Sequence, residues 1–239
     1  MRALVATFVF LSAMLPATSH GGPSSTTAKA AKELAEHLIG KGGKEATELA
    51  VETLAKKIET LALKYGDDAL IAVKKVGPKT FRLVDDAGAN GVRTVKLLAR
   101  YGDNAVWIVK KKNRMAIFVK YGDDAAEAMM EHGEIAEPLI SSFQTPAATA
   151  LKAISPQNGR RLAILAEDGS LAKIGKTDDL LGVVARHGDP AMDFIWRNKG
   201  ALAVAGTLAA FLANPQPFID GTVDVSKAVT ENVGKADRK

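Results

Sequence analysis

The chain has 239 residues, of which 47% are hydrophobic, 25% charged and only 5% aromatic, with a formal net charge of +5 and no cysteine. This composition excludes a disordered chain and a disulfide-stapled domain. The lack of cysteine also excludes iron–sulfur clusters, thiol catalysis and cysteine-based zinc sites. Few aromatic residues and many alanines favour closely packed helices over sheet.

The first nineteen residues have the pattern of a secretory signal peptide. Arg2 precedes an uncharged stretch over residues 3–15, and Pro16 leads to small residues that end at Ser19. We predict cleavage after Ser19, which places the mature chain in the periplasm or outside the cell. An exported chain without cysteine fits a bacterial envelope better than a eukaryotic secretory pathway. An uncleaved anchor is the alternative, although the stretch is shorter than the roughly 20 residues of a membrane span.

Two helices are expected before any repeat begins. Residues 20–27 are rich in glycine, serine and threonine, and we interpret them as a flexible linker. Thr27 is expected to cap a helix that starts near Ala28, and a second helical pattern extends from Lys44 to Lys64. Residues 28–64 are therefore interpreted as the N-terminal helices.

A short motif recurs over residues 65–199. Lys-Tyr-Gly-Asp-Asp-Ala, which starts at Lys64, returns unchanged at Lys120 and with small changes at Arg100 and Arg186, and several of the glycines are eleven residues apart. Glycine just after a helix accepts the left-handed conformation, and the aspartate that follows is expected to cap the next helix. The predicted structural turn residues are Gly66, Asp67, Gly77, Gly102, Asp103, Gly122, Asp123, Gly133, Gly188 and Asp189.

Apolar residues keep a fixed distance from these turns. The third, fourth and seventh residues after each glycine, such as Ala69, Leu70 and Val73, share one face of a short helix. A helix of about eight residues is not stable alone in water, so neighbouring units must stack. We therefore predict an all-α, solenoid-like array of short stacked helices. A continuous coiled coil with an eleven-residue period is the alternative.

The eleven-residue repeat is weaker over residues 141–175. We favour short helices there, and a two-strand hairpin over residues 162–174 is the alternative.

The chain ends in an apolar segment and a polar tail. Residues 200–213 carry no charge, and residues 200–221 are expected to form one apolar helix followed by a turn. A run of this length is typical of a core or capping helix, with insertion into a membrane as the alternative. Residues 222–239 form the polar tail.

Sites for chemistry are not evident in the sequence. Adjacent aspartates, as at Asp67–Asp68 and Asp123–Asp124, are interpreted as turn residues rather than as metal ligands or an acid–base pair. The sequence contains no familiar nucleophile, metal-ligand or nucleotide-binding motif. We therefore predict a non-enzymatic protein with no catalytic residue, cofactor or metal.

One basic cluster is a candidate for binding. We predict that it contacts an anionic surface, such as phospholipid headgroups or an envelope polymer. The mild net charge and the predicted export argue against a nucleic-acid partner. The cluster consists of Lys110, Lys111, Lys112 and Arg114.

The repeated Tyr-Gly-Asp-Asp-Ala turns resemble those of uncharacterised exported bacterial proteins, and so do residues 196–204 and 214–221. The resemblance covers roughly residues 60–221 and implies export and a repeat architecture, without an activity or site residues. Together these observations predict a bacterial envelope protein that acts as a helical-repeat scaffold for another envelope protein. The alternative is a membrane-associated protein that uses residues 200–213 and its basic helix faces.

Overall fold

The computed structural model describes residues 25–41, 47–223 and 225. The predicted signal peptide (residues 1–19), residues 20–24 of the predicted linker and nearly all of the polar tail lie outside this range. The described residues form α-helices and short 3₁₀ turns without a strand. The chain divides into two compact units, Met1–Lys64 and Tyr65–Lys239. The all-α array of stacked short helices predicted from the repeats is confirmed.

Fourteen α-helices occur in the described residues. They are α1 (Ser25–Lys41), α2 (Glu48–Tyr65), α3 (Asp67–Val76), α4 (Lys79–Ala87), α5 (Gly91–Tyr101), α6 (Val106–Val109), α7 (Lys112–His132), α8 (Ala136–Lys152), α9 (Pro156–Glu167), α10 (Ser170–Ile174), α11 (Thr177–His187), α12 (Asp189–Leu202), α13 (Ala205–Ala213) and α14 (Gln216–Ile219). Three 3₁₀ turns at Gly88–Asn90, Gly102–Ala105 and Gly133–Ile135 connect some of them.

The two helices of the first unit begin at positions other than those predicted. Helix α1 already starts at Ser25, so residues 25–27 are helical rather than linker, and Thr27 lies within the first turn. Serine and threonine suit either a linker or a helix start, which explains the error. Helix α2 starts at Glu48 instead of Lys44, and the Thr47 carbonyl accepts hydrogen bonds from the amides of the first turn.

The turn glycines adopt positive φ, as predicted. Gly66, Gly77, Gly102, Gly122, Gly133 and Gly188 have φ between +62° and +79° and ψ between −136° and −167°. This ψ is extended rather than helical, so the turn belongs to a region of φ/ψ space that only glycine enters without strain. Each turn therefore ends one helix and redirects the chain into the next.

Gly122 excludes the coiled-coil alternative. It lies inside the residue range of α7, but its φ of 77° and ψ of −157° are not helical. Helix α7 is thus two helical segments, over residues 112–121 and 123–132, that meet at a kink. The chain folds at this glycine instead of continuing as one rod.

The eleven-residue spacing of the turns continues within residues 141–175, where the sequence predicted that it would weaken. Gln144, eleven residues after Gly133, has φ 57° and ψ −139° and kinks α8 as Gly122 kinks α7. Eleven residues further, Ser155 is extended and precedes α9. The residues of the proposed hairpin belong to α9 and α10, so the hairpin alternative is wrong.

Buried residues lie at fixed distances after the turns. The predicted third and seventh positions after each turn are buried almost throughout, as at Ala69 and Val73, which are 1% and 0% exposed. The sixth position is buried as well, although the sequence pattern had not singled it out. Its occupants are Ala72, Leu83, Ile108, Ala128, Leu139, Ala150 and Phe194, and Leu97 is buried at the same distance from Gly91, where α5 begins. The alanines at this position in α7 and α8, Ala128 and Ala150, allow these two helices to pack closely.

The C-terminal segment is not the single helix that was predicted for residues 200–213. Helix α12 ends at Leu202, Val204 is extended, and α13 starts at Ala205. A glycine and a β-branched valine have low helix propensity, which favours a break here. The break lets α13 pack on α11 and α12, where Phe211 is fully buried. Within the described residues no helix combines the length and apolar character needed to cross a bilayer.

Candidate interaction surface

The predicted basic cluster is split between surface and core. Lys110, Lys111 and Lys112 are exposed at the junction of α6 and α7, where Lys111 is extended. No ion pair joins any of the three to a residue that the structure describes. These three lysines are therefore exposed, and their contact with an anionic surface stays a prediction.

Arg114 is not available, and its assignment as a surface contact is wrong. Its side chain is 5% exposed, and its guanidinium donates to Glu137 at 2.5 Å and to Glu134 at 3.2 Å. The guanidinium also lies 3.4 Å from the centroid of the Trp107 ring, a close cation–π contact. Arg114 holds α7 to the next helices of the array, so it is a structural residue.

A groove of about 590 Å³ lies between α4 and the α6–α7 junction, and we call it the basic groove. It is lined by Lys79, Arg82, Leu83, Asp86, Val106, Val109, Lys110 and Lys112. Four cations and one carboxylate thus surround an apolar strip of three side chains. The sequence showed the lysines, but not that α4 would add two further cations opposite them.

A second groove of about 510 Å³ lies between α3, α5 and α7. Its lining includes Arg93, Lys96 and Arg100, but also Asp68 and Asp123. Arg100 is already engaged by Asp123, and it lies 3.5 Å from a second carboxylate on α7. The local charge is therefore closer to balance than in the basic groove.

The turn aspartates do not cap helices as the sequence predicted. At Gly66 and Gly188 the glycine itself occupies the cap position, without a side-chain cap bond, and the aspartate is the first helical residue. A carboxylate there is still favoured by the helix dipole. Its side chain instead reaches another repeat: Asp103 accepts from Lys79 at 2.7 Å, and Asp123 accepts from Arg100.

Titratable groups gather between α5, α7 and α8. Tyr101 donates to Glu127 at 2.7 Å, and Lys152 donates to Glu127 and Asp124, both at 2.8 Å. Burial and the bond to Glu127 raise the pKa of Tyr101 above its ordinary value. Bonds from Lys152 and Tyr101 lower the pKa of Glu127, and bonds to Asp124 and Glu127 raise the pKa of Lys152. Tyr101 therefore stays neutral at neutral pH, and Glu127 and Lys152 stay charged, so the cluster ties helices together.

Ser155, His132 and Asp189 lie near each other but do not form a nucleophile–base pair. The Ser155 hydroxyl donates to Asp189 at 3.1 Å, and His132 Nε2 contacts the carbonyl of Leu151 at 2.7 Å. Burial alone would raise the pKa of Asp189, but hydrogen bonds from Ser155 and Asn158 lower it below its ordinary value. The carboxylate stays charged and joins α12 to the start of α9.

The rings that precede the turns also bridge repeats. An added Cβ at Gly91 would lie 2.6 Å from the Tyr65 hydroxyl oxygen, and one at Gly159 would overlap the His132 ring. Both glycines therefore make room for a ring from an earlier turn. Within the described residues, no group of three or more potential metal ligands comes together.

The geometry thus leaves exposed cations and open grooves on an array in which other charged residues, such as Arg114, Glu127 and Asp189, make internal contacts. Comparisons of the chain with protein-family models, curated proteins and solved structures gave no match.

Proposed function

We propose that this chain is an exported bacterial envelope protein that acts as a non-enzymatic scaffold and binds another envelope protein along its helical array. The observation that carries the proposal is the pair of open grooves between successive helices. Stacked helical repeats commonly bind proteins through such extended surfaces.

The contacts between repeats support this role. Carboxylates of α7 accept hydrogen bonds from two neighbouring helices, from Arg100 and Tyr101 of α5 and from Lys152 of α8. Such contacts hold the helices in fixed positions, so little conformational entropy is lost when a partner binds. A preorganised surface of this kind suits a scaffold.

Photo-crosslinking in the native bacterium tests the proposal. A photoreactive residue is placed in turn at exposed positions of α4, α5 and α7, and at Leu49 of α2 as a control that is 75% exposed. We expect one protein adduct at neighbouring positions of the array and none at Leu49. Fractionation should recover the adduct from the envelope, with a mature chain that begins at His20. Recovery of the free chain alone, without any adduct above the Leu49 control, would contradict the proposal.

Peripheral membrane binding is the second candidate, and the three consecutive exposed lysines at 110–112 favour it. Clusters of basic residues bind anionic headgroups with an affinity that falls as salt rises. Under this alternative, a high-salt wash releases the protein from membranes, and crosslinking gives no protein adduct. The two candidates therefore predict different results from the same cells.

A further inference from the structure

The two walls of the basic groove both carry positive charge. Lys79 and Arg82 project from α4, and Lys110 and Lys112 lie on the opposite side at the α6–α7 junction. The groove thus has cations along both rims. A ligand that fills it meets positive charge on two sides.

Internal carboxylates neutralise only part of this charge. Lys79 pairs with Asp103, and Arg82 lies 3.5 Å from Asp86, but both pairs are more than half exposed. Exposed pairs of this kind contribute little and exchange readily with other partners. Lys110 and Lys112 form no ion pair with the residues that the structure describes. The groove therefore retains an excess of positive charge.

The floor of the groove identifies the kind of ligand. Leu83 and Val106 are buried but line the groove, and Val109 is half-buried beside them. A polyanion such as nucleic acid would leave this apolar strip unused. A flat bilayer surface would not enter a groove between helices. An amphipathic helix matches both features, because its apolar face covers the strip while acidic side chains on its flanks reach the two rims.

We propose that the basic groove binds an acidic amphipathic helix of the partner protein. The inference rests on the proposed function and deepens it. The apolar face of the helix packs on Leu83, Val106 and Val109, and its carboxylates pair with Lys110 and Lys112. Opposite charges on the two surfaces fix the orientation and speed association, and the apolar contact, chiefly with Val109, adds to the affinity.

A peptide of defined pattern tests the inference with the mature full-length protein. The probe is a fluorescein-labelled helix of about 16 residues with leucines on one face and glutamates on both flanks, a length at which helices become stable. A scrambled peptide of the same composition is its control. We expect the patterned peptide to bind at least about tenfold more tightly, with an affinity that falls at high salt.

Two charge-reversal variants localise the binding. Lys110→Glu with Lys112→Glu should weaken peptide binding about tenfold or more. Lys56→Glu with Lys57→Glu on exposed positions of α2 makes the same change in net charge and should stay within about twofold of the unchanged protein. Val109→Asn, which makes the floor polar and leaves the charge of the groove unchanged, should also weaken binding. Circular dichroism and thermal unfolding establish that each variant is folded.

Four results would overturn the inference. The first two are equal binding of both peptides and equal loss of peptide binding in the two charge-reversal variants. The third is that the Lys110 and Lys112 changes weaken binding to vesicles containing phosphatidylglycerol but not to the peptide. The fourth is that the peptide does not bind and sedimentation shows a dimer that the Lys110 and Lys112 changes dissociate. If crosslinks in cells then form from α5 but not from Val109, the groove is wrong and the scaffold proposal stands. If no crosslinks form from the array, the scaffold proposal fails as well.

Discussion

The repeat array and the C-terminal helices build a core by different means. In the array, small residues such as Ala69 and Ala125 are buried at fixed distances from each turn, and polar contacts link the repeats. In the C-terminal helices, Phe194, Phe211 and Phe218 pack with ring centroids 4.8–5.8 Å apart. Many small contacts therefore contribute to the free energy of unfolding of the array, whereas a few large side chains contribute most of it at the C-terminal end.

Phe211→Ala should have the largest effect on stability. The ring is fully buried and stacks on Phe194, so its loss leaves a cavity between α12, α13 and α14. We expect a loss of about 3–5 kcal/mol in the free energy of unfolding, measured with urea. Hydrogen exchange should show α13 and α14 opening while α3–α8 stay protected. Uniform loss of protection would mean that the two regions are not energetically distinct.

Arg114→Met should cause the next largest loss in the free energy of unfolding, in the first half of the array. It removes the buried guanidinium and leaves Glu137, whose side chain is only 23% exposed, without its cation. Loss of one partner of a buried pair costs about 3–5 kcal/mol, and we expect about 2–4 because Glu137 retains some solvent. Lys111→Met changes the same charge at an exposed site and should cost less than about 0.5 kcal/mol. Equal costs in urea unfolding would contradict the internal role of Arg114.

Gly122→Ala tests the turn itself. No atom lies within 4 Å of the added Cβ, so any cost comes from the positive φ and not from a clash. We expect a loss of about 1–3 kcal/mol. Gly182→Ala, inside α11 and equally free of clashes, should instead stabilise the protein by up to about 1 kcal/mol because alanine is the better helix former. Thermal unfolding of both variants checks the opposite signs.

Gln144→Gly should have the smallest effect and a favourable one. Gln144 adopts the backbone geometry of the glycine turns at φ 57°, so glycine relieves the strain there. Part of that gain is offset by the greater entropy of glycine in the unfolded chain, and we expect a net gain of about 0.5–1 kcal/mol. A loss of stability in urea would show that residue 144 is not a degenerate copy of the repeated turn.

The turns and much of the core follow from the sequence because they depend on local rules. Glycine at a helix end and apolar residues three, four and seven positions later are sufficient to place the short helices. Gln144 was missed because it lacks the glycine that marks the other turns. Ala150 lies six residues after Gln144, as Ala128 does after Gly122, but the sequence alone does not show that this position is buried.

The candidate site was only partly predictable. Lys110–Lys112 stand out as a basic run, but Arg114 belongs to the same run and is buried, which composition does not reveal. A longer-range signal separates them: Arg114 and Glu137 are 23 residues apart, as are Arg100 and Asp123. The contribution of α4 to the groove depends on tertiary packing, and no local pattern encodes it.

The bonds of Arg100 and Tyr101 join residues that are far apart in the sequence, which limits how the chain can be shortened. Arg100 and Tyr101 find their carboxylates 23 and 26 residues later, on helices that a ribosome makes after theirs. A growing chain therefore completes each unit only after about two more have been made. A fragment cut just after Gly122 would leave both groups without their acceptors, whereas one that ends beyond Lys152 retains them. A fragment that keeps these bonds therefore has to extend past Glu127, and not only to the end of α5.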